Sequence, residues 1–126
     1  MGYAVGLTTH GTRLIDMVMA NPDTGKSLTI QTKTILNAFV KSKKYTPYWK
    51  WPIGKVHEPN IALYYVFIDL KGDATTKMPD VFIVPSQDLE PLLEQSSGWF
   101  WCTGINENNA SIYKDNWGAL IDALSK

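Results

Sequence analysis

A single cysteine, Cys102, excludes an intramolecular disulfide, and neither it nor His10 or His57 stands in a zinc-ligand spacing. No apolar run approaches the ~18 residues needed to span a bilayer. No signal peptide is visible: the opening Met1-Gly-Tyr-Ala-Val-Gly6 has a short apolar stretch and no basic leader. These absences set the expectation of a cytoplasmic protein with no membrane contact. Internal repeats and low-complexity segments are also missing. With 126 residues, 44% of them hydrophobic, the expectation is one folded domain spanning 1–126.

Net charge is zero, yet its distribution is uneven. Residues 1–55 hold eight basic groups and two acids, a balance of +6, and residues 56–126 carry −6. A basic half could face a polyanion, unless the two halves interleave in space. Lys41, Lys43 and Lys44 are its densest cluster. Such lysines are usually a solvated surface; beside a phosphate-cleaving site they would hold a nucleic-acid backbone. Tyr48, Trp49 and Trp51 follow in a proline-containing stretch and read as core more readily than as base-stacking platforms, although aromatics beside lysines suit single strands.

Several strands can be read directly. Residues 3–8 suit a short strand and 9–12 a loop. Residues 61–70 (Ile-Ala-Leu-Tyr-Tyr-Val-Phe-Ile-Asp-Leu) form a nearly continuous apolar run, the mark of a central strand covered on both faces. Asp80–Pro85 reads as a second buried strand. Ser86 suits the N-cap of a helix through about Gln95, with Pro91 tolerable only in the first turn. Trp99–Cys102 suits a short strand or core wedge with Cys102 as apolar filler. Asp115 can cap a last helix with Trp117, Leu120, Ile121 and Leu124 in one stripe. Residues 34–44 fit helical spacing only in part, and Tyr45–Gly54 suits a loop or irregular edge strand. The sum is an α/β sandwich, a mixed central sheet of about four or five strands with flanking helices.

The densest chemistry lies in a hairpin. Asn21-Pro-Asp-Thr-Gly25 is strong turn chemistry: Pro22 pre-sets its φ, Asn21 and Asp23 can bond nearby backbone, and Gly25 accepts positive φ. A loop of Pro22 to Gly25 pairs Asn21 with Lys26 and, in the same register, Asp16 with Gln31. Alternation then puts Asp16, Gln31 and Lys33 on one face. An acid, a neutral oxygen donor and an ammonium suit a divalent cation and a phosphate. The alternative is an ordinary strand acid paired with Lys33 across the hairpin, worth at most about 1 kcal/mol if exposed.

This pattern resembles the PD-(D/E)xK nuclease superfamily, with its restriction-endonuclease-like fold. Asp16 matches the first motif position and Gln31-Thr32-Lys33 the second, with Gln in the acid's place. Two further blocks, Tyr64–Leu70 and Pro79–Ser86, resemble bacterial members. The resemblance implies a Mg²⁺- or Mn²⁺-dependent nuclease acting on DNA, with Asp16 and Gln31 as metal ligands and Lys33 assisting water and transition state. Cutting both strands of a duplex would need two sites, hence a homodimer or a second subunit. Glu58 is a further candidate ligand. The family's N-terminal helix is missing, and Gln31 removes a negative charge that would hold the ion. Both departures favour an alternative: a catalytically silent module binding nucleic acid or a protein partner.

Overall fold

The computed structural model describes residues 4–7, 17–54, 63–72 and 77–125. The protein is mixed α/β, mostly strands. Its main sheet contains β1 (Ala4–Leu7), β2 (Met17–Asn21), β3 (Lys26–Ile35), β7 (Leu63–Asp69) and β8 (Asp80–Pro85), in that spatial order. β3 and β7 run parallel; the other neighbours are antiparallel. Parallel neighbours cannot be joined by a tight turn. The described part of the β3–β7 connection contains β4 (Phe39–Val40), β5 (Tyr48–Trp49) and β6 (Trp51–Gly54). β6 joins β9 (Leu93–Ser96) and β10 (Trp99–Cys102) in a second sheet, ordered β6-β10-β9, while β4 pairs with β5.

Period-two alternation along β3, β7 and β8 divides the core. One face of the main sheet, with Leu28, Ile30, Tyr64, Val66 and Ile83, is covered by Leu120 and Leu124 of α3 (Trp117–Ser125). The opposite face, with Leu63, Tyr65, Phe67, Phe82 and Val84, packs on Trp51, Ile53 and Cys102 of the second sheet. This explains the continuous apolar run of β7: both of its faces are covered, and it sits between β3 and β8. Trp51 is 0% exposed. Its ring lies 5.0 Å from Phe67 and 5.4 Å from Phe82, and its indole N–H donates to the Ile68 carbonyl at 3.0 Å.

The hairpin between β2 and β3 is built as its sequence implies. Asn21 pairs with Lys26 and Met17 with Ile30. Asn21 Oδ1 accepts from Asp23 N–H at 2.9 Å, and Gly25 adopts φ +74°. The turn also anchors the helix layer: Asn21 Nδ2 and Thr24 Oγ1 donate to the Leu124 carbonyl at 3.1 and 2.7 Å.

The ambiguity over 34–44 resolves without a helix, because the backbone there is taken up by the end of β7, and the expectations for the two later helices are corrected. Leu70 N–H bonds Ile35 O, Gly72 N–H bonds Leu36 O, and Ala38 N–H donates to the Asp69 carboxylate. The helix beginning at Ser86 stops at Leu89 as α1; a 3-10 turn, Glu90–Leu92, holds Pro91, and the chain then extends into β9. Proline lacks the N–H and crowds the carbonyl four residues back, so the helix cannot continue through it. Pro85, rather than Ser86, is at its N-cap position. In the last helix, Leu120 and Leu124 are buried while Trp117 and Ile121 are each 47% exposed, so only one i, i+4 row faces the sheet. Asp115 takes φ +53° two residues ahead of that helix, outside the cap position. A short helix α2 (Ala110–Tyr113) had no clear sequence signal. The expected loop at 9–12 lies outside the described residues.

The two charge-biased halves interleave: β3 lies beside β7, and β6 beside β10. Among the described residues no helix is long and apolar enough to cross a membrane.

Two outcomes follow from this core. Trp51→Ala is expected to lower unfolding free energy by about 3–5 kcal/mol. Trp51→Phe keeps most of the packing but leaves the Ile68 carbonyl without its donor, costing about 1–3 kcal/mol; urea titration of both variants measures the difference. Burial pushes the Cys102 thiol up to about 12, partly opposed by the Gly104 backbone hydrogen bond. The folded state thus holds the thiol proton more tightly than the unfolded chain. That stability is intact below the thiol's ordinary value of 9.0 and drains as pH rises towards about 12. Urea midpoints should fall across that window in the native sequence and fall less in Cys102→Ala.

Candidate functional site

β3 carries the two described members of the hairpin constellation. Gln31 and Lys33 are two residues apart, so their side chains leave the same face of the strand. It is the face turned toward the second sheet, since Leu28 and Ile30 belong to the α3 side. Gln31 is 9% exposed and stands in register with Tyr65; Lys33 is half-buried in register with Phe67. The hairpin register inferred from the turn holds from Asn21–Lys26 to Met17–Ile30. Asp16, next along the chain, lies outside the described residues, as do His10, His57 and Glu58.

The donor set bears on the metal. Among the described residues no group of three or more His, Cys, Asp or Glu could hold an ion. Gln31 offers a neutral amide oxygen, compatible with Mg²⁺ as a supporting ligand but too weak to anchor it.

The lysine cluster divides. Lys41, Lys43 and Lys44 are all exposed, and the bend they ride is pinned by Ser42 Oγ, which accepts from Lys44 and Tyr45 N–H at 3.1 and 2.9 Å. Lys44 lies over the Tyr45 ring at 5.4 Å, a cation–π arrangement. Lys41 and Lys43 instead line cavities. The first cavity, about 520 Å³, is walled in part by Phe39, Lys41, Trp49, Lys71, Lys77 and Glu107. The second, about 490 Å³, shares Phe39, Lys41 and Glu107 with it and adds Lys43 and Pro47.

The aromatic stretch also divides. Trp51 is core, as its type implied. Trp49 is half-buried, tilted against Phe39 at 4.8 Å and Phe82 at 5.0 Å, and contributes to the first cavity. Tyr48 lies in a third depression with Tyr45.

The floor of the first cavity is a pair of carboxylates that the sequence reading did not single out. Asp69 and Asp80 face each other across β7 and β8. Asp69, 2% exposed, accepts through Oδ1 from the backbone N–H of Ala38 and of Lys71, both at 3.0 Å. Asp80 is bracketed by the ammonium groups of Lys71 and Lys114 at 3.1 and 3.2 Å. Both acids close an apolar strand at the same end, so antiparallel pairing of the two runs was the signal that could have brought them together. Asp69 is bound by two backbone N–H groups and Asp80 by two ammonium groups, which makes them framework for the cavity. Tyr64 and Tyr113 are raised above the ordinary phenol value by burial first and by Asp88 second, so neither supplies a base near neutral pH.

No protein-family model, curated protein or solved structure matches this chain.

Asp69 provides the test of the framework. Asp69→Asn keeps an acceptor at Oδ1 and should change stability little. Asp69→Ala leaves the buried Ala38 N–H without one and should cost about 1–3 kcal/mol, read from thermal or urea unfolding.

Proposed function

We propose that this protein is a divalent-metal-dependent nuclease-like protein of the restriction-endonuclease-like fold, hydrolysing DNA phosphodiester bonds. The observation that carries the reading is the shared face of Gln31 and Lys33 on the second strand of a hairpin in a mixed sheet. The PD-(D/E)xK pattern asks for that placement of its last two motif positions. Asp16 supplies the anionic ligand and Gln31 the neutral one. Mg²⁺ or Mn²⁺, when bound, polarises the phosphoryl oxygen and lowers the pKa of water. Lys33 places its ammonium beside the phosphate, where it offsets the charge that develops on oxygen. Gln31 stands in register with Tyr65 and Lys33 with Phe67 of β7.

The second reading is a silent nucleic-acid-binding module, favoured by the 9% exposure of Gln31, which limits its reach to an ion. Metal titration and cleavage separate the two. On the nuclease reading, Mn²⁺ binds the native protein, Asp16→Ala abolishes that binding, and Lys33→Ala slows Mg²⁺-dependent nicking of DNA by about 10²-fold or more. Gln31→Glu should tighten Mn²⁺. If Asp16→Ala leaves Mn²⁺ affinity unchanged, the nuclease reading is lost; DNA retention without nicking supports the silent module.

A further inference from the structure

We propose that the two adjoining cavities form a track for a single strand of nucleic acid, with a base stacked on Phe39 and Lys41 at the adjoining phosphate. This takes from the proposed function only the premise that the ligand is nucleic acid; it requires neither metal nor cleavage, and it names the strandedness of what is bound.

The geometry points there because Phe39, Lys41 and Glu107 are common to both cavities. A half-buried aromatic ring lining two spaces of about 520 and 490 Å³ offers a surface on which a planar group can stack. Pockets of about 300–1,000 Å³ are the size that takes small organic ligands. Trp49, held against Phe39 at 4.8 Å, fixes the position of that ring. Stacking on such a ring needs bases that are free of a partner strand, since in a duplex their faces are already covered.

Charge completes the match. Lys41 sits at the junction, Lys43 at the second cavity, and Lys71 and Lys77 at the first. Lys71 is held by Asp80. Lys41, Lys43 and Lys77 have no carboxylate partner among the described residues. Their spread along both cavities follows a backbone bearing one charge per nucleotide, where a compact anion would need them gathered at one point. Of the acids in the lining, Asp69 is committed to backbone amides and Asp80 to two ammonium groups. Glu107, present in both cavities, accepts from the amino edge of a base, a role open to carboxylates in nucleic-acid recognition.

The test is fluorescence anisotropy of a labelled eight-nucleotide single strand and of a blunt duplex, in EDTA, across a salt series. The expected result is preference for the single strand. Lys41→Ala/Lys43→Ala should flatten the slope of log K against log salt by about 1.4, from about 0.7 per phosphate contact on single strands. Lys44→Ala should leave that slope unchanged. Phe39→Ala should weaken single-strand binding about tenfold, with circular dichroism to verify that the variant is folded. Equal binding of duplex and single strand, no binding at 50 mM salt, or an unchanged slope in the double lysine variant overturns the proposal. Because no metal is present, failure here is distinct from failure of nicking.

Discussion

The contact on which the rest of the structure depends is the seat of Trp51 against β7. Its strand belongs to the second sheet, yet its ring packs on Phe67 and Phe82 of the first and its N–H closes on the Ile68 carbonyl. A buried indole gains both area and a satisfied donor this way. Its position also constrains the connection from β3 to β7. With residue 51 fixed on the sheet, the chain from 36 to 50 must fold back over the end of the parallel pair, where Asp69 captures Ala38 and β4 pairs with β5. The two cavities are the space left beneath that return. The cavity walls are therefore consequences of core packing, and substitutions at Trp51 and Phe39 report on different layers of one arrangement.

Much of the sheet could be read from the chain. The strands at 63–69 and 80–85, the edge strand at 4–7 and the hairpin register all follow from apolar runs and turn chemistry, which are local signals. Local signals ran out where distant partners decide local structure. The segment around Asn37 has some helical spacing, but its backbone groups are claimed by residues more than thirty positions away. The stripe on α3 was read as four residues wide because sequence shows periodicity and cannot show how much of the helix the sheet covers. The chain's two charge-biased halves interleave for the same reason, since β6 and β10 come from opposite halves and pair.

The site was legible in a different measure. Positions two apart on one strand, Gln31 and Lys33, share a face by alternation alone. The division of Lys41, Lys43 and Lys44 could not be foreseen, because it depends on whether Tyr45 or Phe39 is the nearer ring. Likewise Asp69 and Asp80 are eleven residues apart and meet only through antiparallel pairing.

The burial of Gln31 gives a physical reason for an amide at that position. A carboxylate at 9% exposure beside Tyr65 would need a full set of hydrogen bonds or a bound cation to offset its desolvation. An amide presents the same oxygen without that penalty, so the fold does not depend on an ion being present. An amide also attracts a cation less than a carboxylate does, so stability without an ion and affinity for one are opposed at such a position. The same opposition is absent at Lys41 and Lys43, which are exposed and can gain phosphate contacts without a core cost. On the proposed reading, binding of nucleic acid and its hydrolysis would be separable, the first drawing on surface charge around Phe39 and the second on a strand face whose burial limits its chemistry.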